Sequence, residues 1–165
     1  MTSPFEIVRA DYSNAAHRSA IPQLLNIYAK DLLGFRSRID NNILDALVPG
    51  LKKTANNLVL LACVDKRYVG MAICFFSFST FHAMPVINIH DFMVRPEFRG
   101  QGIGKGLLNE IERIALEKGC CKITLEVQEN NVAARRLYGN FGFADSFLAP
   151  EAGSQLFMTK ECHRN

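Results

Sequence analysis

The run from Arg95 to Lys105 has the residue types best suited to bind an anionic ligand. It reads Arg-Pro-Glu-Phe-Arg-Gly-Gln-Gly-Ile-Gly-Lys, between a strand-like pattern and a long helical pattern. The first turn of a helix has four backbone N–H groups without intrahelical partners, and the helix dipole adds partial positive charge. Glycines let a ligand approach the backbone, and flanking cations add full charges. The sequence therefore predicts a pyrophosphate site, formed by Arg99, Gly100, Gln101, Gly102, Ile103, Gly104 and Lys105.

Two common phosphate-binding patterns do not fit this run. The ATP loop requires Ser or Thr after its Gly-Lys pair, whereas Gly106 follows Lys105, and Arg99 occupies the position of the loop's first glycine. The dinucleotide pattern Gly-x-Gly-x-x-Gly fails from each of the three glycines, because none has another glycine five residues later. A turn that only links strand to helix is the structural alternative.

The preceding strand carries residues that could move a proton. It reads Ile-Asn-Ile-His-Asp-Phe from position 87 to position 92. Imidazole titrates near neutrality, so His90 can act as a general base. Strand alternation predicts that Asp91 points to the opposite face and that Asn88 shares the face of His90, where it could hold a water. A packed, hydrogen-bonded core histidine is the alternative for His90.

The pattern Arg-x-x-Gly-x-Gly, with Arg99 first and Gly104 last, resembles the GNAT superfamily of N-acetyltransferases. A second block resembles the later motif of that family: Asn131-x-x-Ala-x-x-Leu-Tyr138, followed by Phe-Gly-Phe. The resemblance covers roughly residues 68–143. It implies that acetyl-CoA is the cosubstrate and that acetyl passes by direct attack to a primary amine.

The resemblance also implies roles for individual residues. The two central strands of the sheet splay apart, and the pantetheine arm of the cofactor lies in the gap, where backbone groups of Met93 and Val94 would pair with it. Asn131 would contact the arm, and it can also serve as a helix N-cap. Tyr138 would protonate the departing thiolate, and a core tyrosine is the alternative.

The stretch around His90 is similar to the polyamine acetyltransferases, which carry Glu at that position. This exchange leaves the identity of the base open between His90 and another proton acceptor. The first two predicted helices mix acidic and basic residues, so the polyamine substrate is not carried over. We expect a small-molecule amine acceptor. The alternatives are a non-catalytic acetyl-CoA sensor and an enzyme that acetylates proteins or peptides.

Hydrophobic periodicity predicts the elements that position these residues. Strands are expected at 5–9, 58–64, 68–79, 86–94, 123–127 and 155–160. Helices are expected at 20–33, at 41–47 with Asp40 as cap and a stop at Pro49-Gly50, from Ile103 to the stop at Gly119, and at 131–141. This order predicts an α/β fold with a mixed, mostly antiparallel sheet and about four helices.

Composition limits the classes of protein that remain. The 165 residues are 48% apolar and 21% charged, which fits a single domain over 1–165. The family resemblance implies that this is an N-acetyltransferase domain. A net charge of +3 is too small to predict nucleic-acid binding. The five cysteines lack zinc-site spacing and fit reduced thiols, so we expect no metal and a cytoplasmic protein. No apolar run predicts a membrane span, and the family resemblance makes a homodimer an expectation.

Overall fold

A five-stranded sheet organises the chain. The computed structural model describes residues 5–31, 37–146 and 156–162. Within them the strands follow one another across the sheet in chain order, antiparallel except for the last pair. The strands are β1 (Glu6–Arg9), β2 (Asn57–Val64), β3 (Arg67–Ser79), β4 (Met84–Val94) and β5 (Lys122–Leu125), and the helices are α1 (Ala15–Lys30), α2 (Asn41–Lys53), α3 (Ile103–Glu117) and α4 (Val132–Phe141).

The helices cover both faces of the sheet. Alternating residues of β2 show this, because successive strand side chains point to opposite faces. Leu58 and Leu60 belong to the core that includes α3 and α4. Val59 and Leu61 belong to the core that includes α1 and α2. The predicted α/β architecture with a mixed, mostly antiparallel sheet and about four helices is therefore confirmed.

β4 precedes α3 and β5 follows it. These two strands separate from each other partway along their length. β5 pairs with β4 only over Val86–Ile89, opposite Lys122–Leu125. Beyond Ile89, β4 continues to Val94. Among the described strands, this part of β4 pairs only with β3. This is the predicted splay between the central strands, and it opens a gap between the end of β4 and the end of β5.

Two predicted helix boundaries in the first half of the chain are wrong. α1 begins at Ala15 because Asn14 caps it, its side chain accepting hydrogen bonds from the backbone of Ala16 and His17. α2 passes through Pro49 and Gly50 and ends at Lys53. Burial of Val48 and Leu51 against the sheet outweighs the helical hydrogen bond lost at the proline. Asp40 is the N-cap of α2, although its side chain makes no capping hydrogen bond. Gly34, the expected stop of α1, lies outside the described residues.

The predicted last strand is also wrong. Residues 156–160 have no regular secondary structure, and Gln155 lies outside the described residues. Leu156, Phe157 and Met158 are largely exposed instead of packed. Strand propensity depends on a neighbouring strand and a buried face. The apolar side chains of this segment have neither in the described structure.

Candidate functional site

The glycine-rich turn shapes the start of α3. Gly100 and Gly102 adopt positive φ angles of 74° and 82°, a region that residues with a β-carbon rarely occupy. Gly102 is the N-cap of α3, and its carbonyl accepts the hydrogen bond from the Gly106 N–H at 2.9 Å. Gly102 has no side chain to cap the N–H groups of the first helical turn. These groups are therefore available to an anion.

A cavity of about 470 Å³ lies where β4 and β5 have separated. It is lined by the glycine turn, by the end of β4, by the residues after β5 and by one face of α4. Among the predicted cofactor-binding residues, the side chain of Gln101 lies elsewhere and donates a hydrogen bond to the Glu97 carbonyl at 3.2 Å. The others all line the cavity: Met93, Val94, Arg99, Gly100, Gly102, Ile103, Gly104, Lys105 and Asn131.

Arg99 is anchored to the protein on two sides. Its Nε donates a hydrogen bond to the Val94 carbonyl at 3.0 Å, and its Nη2 forms an ion pair with Asp31 after the end of α1. The guanidinium thus joins α1 to the end of β4 at the cavity wall. Lys105 and Arg136 are exposed cations that line the same cavity.

Gly104 allows α3 and α4 to approach each other. A β-carbon at this position would lie 3.0 Å from Leu137 Cδ2, closer than ordinary packing allows. Asn131 begins α4, and its Oδ1 accepts a hydrogen bond from the Ala134 N–H at 3.1 Å. Asn131 also lines the cavity, so the N-cap and a ligand contact are compatible in this position.

Tyr138 lies on the cavity wall formed by α4. Its side chain is buried, and its ring makes edge contacts with Phe92 and Phe143, with centroids 5.8 Å and 5.7 Å away. Burial raises the pKa of its phenol above the ordinary value, and the nearby phenol of Tyr28 adds to this effect. Tyr138 therefore keeps its proton throughout the neutral range.

His90 lines the same cavity as Tyr138. Its side chain is 64% exposed, so the alternative of a packed core histidine is wrong. The ring makes an edge contact with Phe75, with a centroid separation of 5.5 Å and an interplanar angle of 84°. This contact leaves the imidazole accessible from the cavity.

The prediction that Asp91 points away from His90 is wrong. Ile73 of β3 pairs with Asp91, while the next residue, Cys74, pairs with Ile89. His90 is thus the extra residue of a β-bulge, which interrupts strict alternation. Asp91 Oδ2 lies 3.1 Å from His90 Nδ1, so the two side chains meet.

The Asn88 side chain bonds to the neighbouring strand, and its role of holding a water stays a prediction. Its Nδ2 donates a hydrogen bond to Thr124 Oγ1 at 3.1 Å and links β4 to β5 where the two strands are paired. The side chain holds the sheet together before the splay. Asn88 is not among the residues that line the cavity in the described structure.

Comparison with known proteins identifies the family. The model of the acetyltransferase (GNAT) family matches residues 21–143, which include the glycine turn and α4. The chain belongs to this acetyltransferase family. It is 39% identical over 77 residues to the thialysine N-epsilon-acetyltransferase of Bos taurus, in an alignment that covers 47% of this chain and 45% of that enzyme. The chain thus spans about half the length of such relatives.

Solved structures of similar proteins share the fold. A transcriptional regulator from Bacillus halodurans C-125 is 26% identical, with a TM-score of 0.75 and coverage of 93% of this chain and 99% of that one. An aminoglycoside acetyltransferase from an uncultured soil metagenomic sample, solved with sisomicin, is 18% identical. Its TM-score is 0.74, with coverage of 98% of this chain and 97% of that one. The second likeness shows the fold alone.

Two cavity residues, Tyr28 and Arg136, carry no functional signal in the sequence. Tyr28 and Asp31 lie in and just after α1, and Arg136 lies on α4. Tyr28 has the spacing of an ordinary core residue on an amphipathic helix. Burial raises the pKa of its phenol, with further contributions from Asp91 and Asp31. The place of Tyr28 becomes recognisable only when the fold brings α1 against the end of β4, whereas Asp31 is among the acidic residues of the first two predicted helices.

Proposed function

We propose that the acetyltransferase moves an acetyl group from acetyl-CoA to a primary amine of a small-molecule acceptor, with residues 1–165 acting as one N-acetyltransferase domain. One observation carries the proposal: a single cavity connects the N-terminus of α3 with Tyr138 and His90. An anion site and two proton-transfer groups therefore face the same space. Family membership supports acetyl transfer as the reaction.

The residues of the turn fit a pyrophosphate in chemistry and shape. Gly100 and Gly102, both with positive φ angles, line the cavity, and the first-turn N–H groups of α3 offer hydrogen bonds. Lys105 and Arg136 supply charge at the cavity wall. We propose that backbone groups of Met93 and Val94, together with the Asn131 amide, hold the pantetheine arm in the gap beside β4.

Two side chains would handle the protons of the reaction. Bound acetyl-CoA supplies a thioester that an amine attacks directly. His90 would accept the proton that the amine loses, and Tyr138 would donate its proton to the departing sulfur. The same burial that raises the pKa of the Tyr138 phenol also makes a thiolate a stronger base in this cavity, so donation from the phenol stays feasible.

The cavity wall and the names of similar enzymes both favour an amine acceptor. Tyr28, Asp31 and Glu126 line the cavity, and acidic and phenolic oxygens accept hydrogen bonds from an ammonium group. Relatives include enzymes named for thialysine and for aminoglycosides. We propose an acceptor of this kind, a small amine carrying positive charge.

Location and assembly are further parts of the proposal. No described helix is long and apolar enough to cross a membrane. The five cysteines are free thiols, which supports a cytoplasmic location. The homodimer implied by the family resemblance stays a prediction, and a mass measurement in solution would test it.

Gly102→Ala should weaken acetyl-CoA binding at least about tenfold, a loss of about 1.4 kcal/mol. A β-carbon at φ 82° strains the turn and displaces the N–H groups of the first turn. Acetyl-CoA should raise the melting temperature of the natural protein, because a ligand that binds the folded state stabilises it. The variant should show a much smaller rise, and calorimetry should give the higher Kd.

Gly119→Ala is the matched control for that experiment. Gly119 also has a positive φ, 67°, and no atom lies within 4 Å of an added β-carbon, but it follows the other end of α3. Both variants should lose similar stability without ligand, while Gly119→Ala keeps the full response to acetyl-CoA. Equal responses in the two variants would place the pyrophosphate elsewhere.

Thiol release from acetyl-CoA tests the reaction itself. The panel should contain alkylamines, amino acids, aminoglycosides and peptides. Release with a small amine supports the proposal. Release with peptides alone would identify a protein or peptide acetyltransferase, and tight acetyl-CoA binding without release would identify a sensor.

A further inference from the structure

We propose that Asp91 is a positioning residue, which orients the His90 imidazole so that Nε2 accepts the proton of the acceptor amine. The inference rests on the proposed function, because it assigns a partner to the base. The observation behind it is the contact of 3.1 Å between Asp91 Oδ2 and His90 Nδ1. The family resemblance supplies no such pair, since Glu occupies the position of His90 in the polyamine enzymes.

The β-bulge creates this pair from neighbouring residues. In a regular strand, adjacent side chains point to opposite faces and cannot meet. The register shift between Ile73 and Cys74 leaves His90 as the inserted residue and brings its ring toward the Asp91 carboxylate. Bulges often redirect a side chain next to an active site.

Burial differs between the two partners in a way that suits their roles. The Asp91 side chain is 21% exposed, whereas that of His90 is 64% exposed. The carboxylate is the more enclosed partner, and the imidazole is the group that a ligand in the cavity can reach. The Phe75 ring, in edge contact with the imidazole, limits its rotation from a second side.

The chemistry of the carboxylate decides which ring nitrogen is free. An ionised carboxylate only accepts hydrogen bonds, so Nδ1 keeps its hydrogen and donates it to Asp91. Nε2 then carries a lone pair and takes the proton from the amine as the new amide bond forms. The resulting imidazolium has a proton on each nitrogen and is stabilised by the adjacent negative charge.

Several elements contribute titratable groups that line the cavity or interact with Asp91. They are Tyr28 and Asp31 in and after α1, Cys74 on β3, Arg99 before α3, Lys105 on α3, Glu126 after β5, and Arg136 and Tyr138 on α4. Burial raises the pKa of Cys74 to about 12, with Asp91 adding to the effect, so the thiol is neutral. The two phenols are neutral as well, because burial raises their pKa values. Asp31 forms an ion pair with Arg99.

The test compares Asp91→Asn with Glu117→Gln, since each variant removes one negative charge, and Glu117 pairs with Arg113 on α3 and does not line the cavity. Asp91→Asn should lower kcat about tenfold, a fraction of the 10²–10⁴-fold that a general base contributes. It should also move the rising limb of the kcat–pH profile to lower pH, because the imidazolium loses its stabilising neighbour. Glu117→Gln should leave the limb in place. Asp91→Glu, which retains a carboxylate, should recover part of the rate.

A double-mutant cycle with His90→Ala completes the experiment. Asp91→Asn should have little further effect on kcat when His90 is absent, because Asp91 acts through it. If the losses in kcat are additive, or if the pH limb stays in place in Asp91→Asn, the inference about Asp91 is overturned. His90 can still be the base in that case. If His90→Ala itself changes neither rate nor limb, the proposed base fails instead. Asp91→Ser replaces Asp91→Asn if melting curves show that the amide variant is unfolded.

Discussion

Tyr138→Phe should lower kcat about 10²-fold, equivalent to about 2.7 kcal/mol in the activation barrier. The Tyr138 phenol is buried and lines the cavity, and its O–H would give the departing sulfur the proton that it needs. Phe retains the ring and its edge contacts with Phe92 and Phe143. The Kd for acetyl-CoA and the melting temperature should therefore stay near those of the natural protein. Steady-state kinetics with a good acceptor gives the change.

The pH dependence of turnover in the natural protein offers a second check on Tyr138. Burial raises the pKa of this phenol above about 10, so loss of its proton should not reduce turnover below that pH. Tyr68→Phe, a change of the same kind outside the cavity, is the control and should leave kcat unchanged. Single-turnover rates that are equal in Tyr138→Phe and the natural protein would remove Tyr138 from the chemical step.

The features that can be predicted from the sequence are mainly those that leave a pattern in a short stretch of it. α3 follows from apolar residues at helical spacing, and the turn before it follows from glycines at positions that need positive φ angles. Even the splay of β4 and β5 was accessible, because the family resemblance implies it. The helix and the turn depend on residues close together in the chain, whereas the splay follows from the resemblance alone.

The rest depends on contacts between distant segments. Nothing in a period-two pattern marks an inserted residue, so the bulge that joins His90 to Asp91 was missed. The roles of Tyr28 and Asp31 require α1 to lie against the cavity, about 60 residues from the strand that they face. The predicted last strand failed for a related reason, since Leu156 and its neighbours find no partner strand in the described structure.

The acceptor amine must lose a proton before or during its attack on the thioester, and His90 would accept that proton. An alkylamine with a pKa of about 10.4 is neutral in only about one part in 2,500 at pH 7, which corresponds to about 4.6 kcal/mol. An imidazole exposed to the cavity can remove the proton as the amine attacks. Turnover should therefore rise with pH along a limb centred between about pH 6 and 8.

His90→Ala should flatten that limb and lower kcat about 10²-fold at neutral pH. Because the side chain is 64% exposed, the melting temperature should change little. His90→Gln matches the side chain in reach but cannot act as a base, so it should not restore the rate. Activity of both variants should recover partly at high pH, where more of the amine is already neutral. A limb that persists in folded His90→Ala would assign proton removal to water or to the acceptor pocket, because no imidazole would remain at this position to titrate.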